Sequence, residues 1–341
     1  MSFDAQQLEE HCQTILQSRR IKNRLVILCE GSFAPIKGRR SPQSYGRMED
    51  FPDANFYKAC VPQKHNQYLP EFFNCGDCST VIATYFKLLE LHDQNPKNSY
   101  LTPKNLFTLV DLDIQIRPIY DYSFSDTESI FENLYCQFKV NEKNVTSHRI
   151  WTTGLIHKEA YFLIPELQTE LFDKLVILGC DSKAEYKNNP LSLETIYWDM
   201  INSLSQDKAI ITNFKTVQNR LKNLSFFEAN GEEISPEQLQ TIFQEKFKNA
   251  KDEEQKQKVI LSLLTIKNAK TDYWEKIKKP KNWPYKSERF REQILLKIAD
   301  FYSKKSQNPQ YHIPYFLETV QAIAAQSQNE YLIALTQNSD G

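Results

Sequence analysis

Hydrophobic and polar positions along the chain fall into two regimes. In the first half, short apolar runs without polar alternation recur: Leu25–Leu28 in RLVILCEG, Leu106–Ile114 (LFTLVDLDI, ending in Asp111-Leu112-Asp113) and Leu175–Gly179 (LVILG). Such runs suit strands buried on both faces, as in a parallel sheet under helices. Leu69 to Asn74 and His148 to Leu155 predict two further strands. Between them the period changes to that of helices. Leu8, Cys12, Ile15 and Leu16 mark a helix over 4–20, with Asp4 as its cap and Arg19 and Arg20 at its end. A short helix is expected over 53–60, and a longer one from Ser79 to His92, capped by Ser79 or Asp77. Ser125-Asp126-Thr127-Glu128 reads as a capping box for a helix through about Phe138, which leaves Glu128 and Asp126 a structural role. His157-Lys158-Glu159-Ala160-Tyr161 opens another helix. After the 175–179 run, which is placed to extend the sheet, the chain reads as helical over 192–205, 213–224, 236–249, 253–266, 287–304 and 313–326. Ser235 before Pro236 supplies a start signal for the third of these.

The pattern predicts an α/β domain over 1–185, with an N-terminal helix and a mostly parallel sheet flanked by helices. A mainly helical domain over 186–335 follows, with no role that its residues reveal. At 341 residues the chain has room for both. Hydrophobic residues at 40% and aromatics at 12% are enough to build cores. A net charge of −1 gives no global attraction to nucleic acid or membrane, so any polyanion site has to be a local patch. No apolar run approaches the length of a membrane span, and residues 1–20 have no apolar core of a secretory signal. The seven cysteines stand singly apart from Cys75 and Cys78, as expected of reduced thiols in a cytoplasmic protein. The Cys75-Gly76-Asp77-Cys78 pair has no second pair to complete a zinc site and reads as incidental.

The first candidate chemistry sits at strand ends. Glu30-Gly31 closes the first apolar run, and ligands of open parallel sheets gather outside the carboxyl ends of strands. A solvated glutamate before a turn is the plainer alternative. The later run ends in Asp111-Leu112-Asp113, and in extended chain the two aspartates project to one face. Carboxylates held this close repel unless a cation neutralises them, and Mg²⁺ takes such oxygen ligands. An acidic loop after a strand is again the plainer alternative. Residues 32–54 are broken by Pro35, Gly38, Pro42, Gly46 and Pro52 and made basic by Lys37, Arg39, Arg40 and Arg47. Gly31 and Gly38 do not make a phosphate-binding P-loop, because six residues separate them and Arg39 follows. Further on, Lys276, Lys278, Lys279, Lys281, Lys286, Arg289 and Arg291 interleave with Tyr273, Trp274, Trp283 and Tyr285. Basic groups contact phosphates and aromatic rings stack on bases. The alternative is a helix linkage through Pro280 and Pro284 with the tryptophans in the core. No G-x-S-x-G, H-E-x-x-H or G-x-G-x-x-G occurs.

The order of these features resembles a TOPRIM (topoisomerase–primase) domain, and more closely the stand-alone TOPRIM-like proteins related to overcoming-lysogenisation-defect (OLD) nucleases. The residues that carry the resemblance are Glu30-Gly31, the turn Asn74-Cys75-Gly76-Asp77 into a helix, Asp111-Leu112-Asp113, and Trp151-Thr152-Thr153 leading to Ile156-His157-Lys158-Glu159-Ala160-Tyr161. They cover roughly residues 20–175. The resemblance implies a Mg²⁺- (or Mn²⁺-) dependent nuclease acting on DNA or RNA. Glu30, Asp111 and Asp113 would be its catalytic and metal-holding acids, and Glu159 a further metal ligand. Lys37, Arg39 and Arg40, with Lys278, Lys279 and Lys281, would meet the nucleic acid. Such proteins often accompany an ATPase or another defence-system partner, and some act against phage. Many relatives place an acid soon after Glu-Gly at a helix start; here a basic loop intervenes, and Asp50 or Asp53 is the nearest candidate. The alternative function is a TOPRIM-like scaffold that no longer cuts and binds a partner protein, such as an ATPase, or nucleic acid. Neither reading involves a membrane.

Overall fold

A computed structural model describes residues 4–31, 52–62, 69–178, 185–187, 192–227, 234–277, 279, 283 and 286–339. It is an α/β structure with a four-stranded sheet, flanking helices and a helical C-terminal region. The chain divides into two compact units. One comprises 1–110, 139–152 and 299–341; the other comprises 111–138 and 153–298. This differs from the expected cut near residue 185. The chain leaves the sheet after residue 110, and the final helix returns to the sheet's unit, a pairing no local pattern encodes.

The sheet unit begins with helix α1 (Ala5–Leu16), capped by Asp4, whose carboxylate accepts from Gln7 N at 2.8 Å while the Gln7 side chain accepts from Asp4 N. Cys12, Ile15 and Leu16 form its buried face. Arg19 and Arg20 fall in a separate 3-10 turn rather than in the helix. Strand β1 (Val26–Cys29) is central, and all four of its residues are fully buried. Burial of each of its Val, Ile and Leu side chains contributes about 1.5–3 kcal/mol. Helix α2 (Pro52–Ala59) and strand β2 (Glu71–Asn74) follow. Helix α3 (Cys78–Gln94) starts at Asp77, which accepts from Thr80 N at 3.0 Å. Strand β3 (Leu106–Val110) is again buried throughout.

Past β3, helix α4 (Thr127–Leu134) stops four residues before the expected Phe138. Its capping box uses Asp126 and Ser129 rather than Ser125 and Glu128, because Asp126 is the residue that takes the extended cap conformation. Short strands β4 (Tyr135–Cys136) and β5 (Lys139–Val140) precede β6 (Ile150–Thr152). The sheet order is β2-β1-β3-β6, and every pair is parallel. Helix α3 packs on β1 and β3, α1 packs on α3, and α2 contacts β2.

The second unit contains a 3-10 helix over Lys158–Leu163 where an α-helix was expected, then α5 (Glu166–Glu170), β7 (Val176–Leu178) and β8 (Glu185–Lys187). β7 does not extend the sheet. It pairs antiparallel with β8 in a separate two-stranded ribbon. Helices α6 (Leu193–Asn202), α7 (Lys208–Thr212), α8 (Phe214–Asn223), α9 (Pro236–Lys248) and α10 (Glu253–Leu264) come next; α6, α8, α9 and α10 fall close to the expected spans, and α7 is a short helix where none was expected. The Ser235 cap accepts from Gln238 N, as its position before Pro236 implied. Leu239, Phe243 and Phe247 of α9 recur every four residues and are buried, and α9 packs on α6 and α10. Helix α11 (Ser287–Ser303) carries the chain out of this unit's segment. Helix α12 (His312–Ser339) runs past the expected end at 326 and belongs to the sheet's unit, where Phe316 packs on Trp151 of β6 with ring centroids 4.9 Å apart. No helix among the described residues is long and apolar enough to cross a membrane.

Candidate functional site

Strands β1 and β3 are parallel neighbours in the register Cys29↔Leu109, so their carboxyl ends leave the sheet at the same end. Glu30 is the first residue past β1, and Asp111 the first past β3. Both are half-buried, as is Asp113. Glu30 is followed by an unusual junction. Gly31 and Gly76 exchange backbone hydrogen bonds of 2.8 and 2.9 Å, which prolong the β1–β2 pairing by an antiparallel bridge. Gly31 has φ +131°, and a Cβ there would fall 2.6 Å from Asp53 Oδ2 and 2.7 Å from Asn74 Nδ2. Only glycine fits this approach. The glycine after Glu30 thus lets two backbones and two polar side chains meet beside the strand end. One of those side chains belongs to Asp53, in the first turn of α2, an acid that the resemblance had left as one of two candidates. The other candidate, Asp50, lies outside the described residues.

The Asp111–Asp113 segment is held by its backbone. Leu112 is buried, and its N–H donates to Thr153 Oγ1 at 2.9 Å; that hydroxyl donates in turn to Leu155 O at 2.7 Å. Gly154 N and Leu155 N both donate to the Tyr161 hydroxyl, at 2.8 and 3.2 Å. Burial pushes the Tyr161 phenol far up, and the nearby Asp111 carboxylate adds to the effect. At the other end of the segment, Asp113 O accepts from Arg220 Nη2 at 2.9 Å. Arg220 has no exposed surface. It also forms a bidentate pair with Glu128, Nε to Oε1 at 3.1 Å and Nη2 to Oε2 at 2.6 Å, and donates from Nη1 to Thr265 O at 2.6 Å.

Glu159 is arranged differently from a metal ligand. Its carboxylate lies 3.1 Å from His157 Nδ1, 3.5 Å from Lys158 Nζ and 4.0 Å from Lys270 Nζ. His157 Nε2 accepts from Ala269 N at 2.9 Å, which leaves Nδ1 as the ring nitrogen nearest Glu159. Burial pushes the Glu159 carboxyl up, but Lys158 first, then His157 and Lys270, more than offset it and hold the group well below the usual carboxylate range. Three cationic or hydrogen-donating partners already satisfy this acid, so its surroundings supply the charge that a cation would.

Lys37, Arg39 and Arg40 lie outside the described residues, as do Lys278 and Lys281. Lys279 donates to Trp283 O at 2.9 Å. Trp274 and Trp283 are buried, the first 4.7 Å from Phe162 and the second 5.4 Å from Phe290 by ring centroid. These two tryptophans therefore pack in the core, as in the helix-linkage alternative, and are not displayed for base stacking. Cys75 and Cys78 are buried too. Cys75 Sγ donates to Phe73 O at 3.5 Å, and burial pushes its thiol well up.

Among the described residues, no group of three or more His, Cys, Asp or Glu is placed to hold a metal ion. Chemically, Asp111 and Asp113 still suit Mg²⁺, which is usually held by one or two carboxylates, waters and substrate phosphate oxygens rather than a full protein cage. Glu159 does not suit it. The buried charged arrangement missed by linear reading is that of Arg220. A signal existed: Val217, Arg220, Leu221 and Leu224 fall at i, i+3, i+4 and i+7, which puts a charge on the apolar stripe of α8. Comparison with known protein families, curated proteins and solved structures finds no match to this chain.

Proposed function

We propose that the chain is a TOPRIM-like, Mg²⁺-dependent nuclease that hydrolyses phosphodiesters of DNA or RNA. The observation that carries this reading is the placement of Glu30-Gly31 and Asp111-Leu112-Asp113 directly after two adjacent parallel strands. That is where an open sheet binds ligands. Asp111 and Asp113 would hold the cation, and Glu30 would act as a general base or a further ligand. A bound divalent ion supplies Lewis-acid polarisation of the scissile phosphate and stabilises the leaving oxygen. The chain's own part is to keep two carboxylates two residues apart on a segment whose intervening N–H is tied to Thr153. Glu159 is not assigned a role in this site, since its ion pairs explain it. Lys37, Arg39 and Arg40 would neutralise backbone phosphates. Service as a phage-defence effector beside an ATPase rests on the family resemblance alone.

A second reading, a scaffold that binds a partner protein or nucleic acid without cutting, is favoured by one observation: no three-ligand acidic group exists among the described residues. Cleavage of a mixed panel of DNA, RNA and tRNA with Mg²⁺ or Mn²⁺ separates the two. Metal-dependent cutting by the wild type, lost in both Glu30→Ala and Asp111→Ala, is the expected result. Cutting that survives both substitutions, or no cutting and no metal uptake by calorimetry, sinks the nuclease reading.

A further inference from the structure

We propose that Arg220 and Glu128 are positioning residues that set the divalent-cation affinity of the Asp111–Asp113 segment; this rests on the metal-dependent reading above. Arg220 comes from α8, in the helical region, and Glu128 from the first turn of α4. Their side chains are almost wholly out of solvent, at 0% and 10% exposure.

A guanidinium in the core is a costly way to fill space, because apolar residues of similar volume pack as well or better without desolvating a charge. What the guanidinium provides here is direction. Its planar fork spends Nε and Nη2 on Glu128, a second Nη2 contact on Asp113 O, and Nη1 on Thr265 O, just past α10. A lysine cannot reach these acceptors from one rigid plane. Glu128 fixes the plane, the plane fixes the Asp113 carbonyl, and the Thr153 hydroxyl fixes the Leu112 amide. One backbone group between the two aspartates and one just after the second are thereby held by residues other than the aspartates, which are themselves half-buried. Glu128 also neutralises the guanidinium. Arg220 therefore acts on the segment through position rather than as a competing positive charge. Outer-shell contacts of this type commonly change metal affinity 10–100-fold.

The test is Mn²⁺ binding to the full chain, by calorimetry and electron paramagnetic resonance, for wild type, Asp111→Ala, Arg220→Lys and Asp207→Asn. The last breaks the buried Lys267–Asp207 pair in the same unit, away from the aspartate segment in sequence, and so reports general loosening. Expected are binding by wild type, its loss in Asp111→Ala, weakening of about tenfold or more in Arg220→Lys, and wild-type affinity in Asp207→Asn. Equal affinity in Arg220→Lys and wild type, with binding lost in Asp111→Ala, overturns the clamp and leaves the nuclease reading standing. Equal weakening in Arg220→Lys and Asp207→Asn also overturns it. No Mn²⁺ binding by wild type overturns both. Should Arg220→Lys fail to fold, the Arg220 Nε–H resonance of the wild type is followed during Mg²⁺ titration. A shift that saturates with the metal supports the clamp, and an unmoved resonance at saturation refutes it.

Discussion

Replacing Glu128 by Leu isolates the energetics of the buried pair. The change removes both carboxylate contacts to Arg220, at 3.1 and 2.6 Å, and leaves a guanidinium of 0% exposure with the carbonyls of Thr265 and Asp113 and the Phe131 ring, whose centroid is 5.7 Å away. An uncompensated buried charge of this kind costs about 3–5 kcal/mol. Arg220→Met strands the Glu128 carboxylate instead, at a similar cost, and also orphans the two carbonyls. The double variant strands no charge. Its loss is limited to the two orphaned carbonyls, roughly 1–3 kcal/mol each when buried and unsatisfied. The double variant should therefore be at least as stable as Arg220→Met, and the coupling energy should reach about 3 kcal/mol or more. Urea unfolding followed by far-ultraviolet circular dichroism and tryptophan fluorescence measures it. With a slope of about 2 kcal/mol/M, Glu128→Leu lowers the midpoint by about 2 M. Additive losses in the double-mutant cycle, or a midpoint shift below about 0.3 M in Glu128→Leu, would refute the reasoning.

Two further outcomes are expected. Gly31→Ala meets Asp53 and Asn74 at 2.6 and 2.7 Å and takes a backbone angle that only glycine adopts readily; strain and crowding together should cost about 3 kcal/mol, and an unchanged urea midpoint would count against the described junction. Burial lowers His11 and His148 from 6.5 to about 4. Between pH 6.5 and 5 the unfolded chain takes up protons that the folded chain does not, so stability present above pH 6.5 falls as pH drops, by about 1.4 kcal/mol per pH unit for each histidine at full difference. His148→Asn should shallow that slope in urea midpoints taken at pH 7, 6 and 5, and a slope unaltered by the substitution would contradict the assignment.

Much of the fold was legible because its signals are local. Apolar runs, caps and proline placements act within a few residues, so α3, α9 and β1 emerge close to their observed bounds, and α1 and β3 are found at their starts but end earlier than expected. The strand ends that carry Glu30, Asp111 and Asp113 were legible for the same reason. The 175–179 run shows the limit: its apolar pattern was that of a strand, but nothing in it specifies the partner, and it pairs with β8. Glu159 and Glu128 show the limit for chemistry. Glu159 was a metal ligand by resemblance and Glu128 part of a capping box, yet the first is compensated by Lys158, His157 and Lys270, and the second clasps an arginine 92 residues on. For Trp274 and Trp283 packing was the plainer alternative to stacking on bases, and Phe162 and Phe290 decide for packing. Composition, period and capping are properties of neighbouring residues, and the sequence alone determined these. Which charge meets which charge, and which strand meets which strand, depends on free energies summed over groups far apart in the chain, and only the tertiary structure decided them.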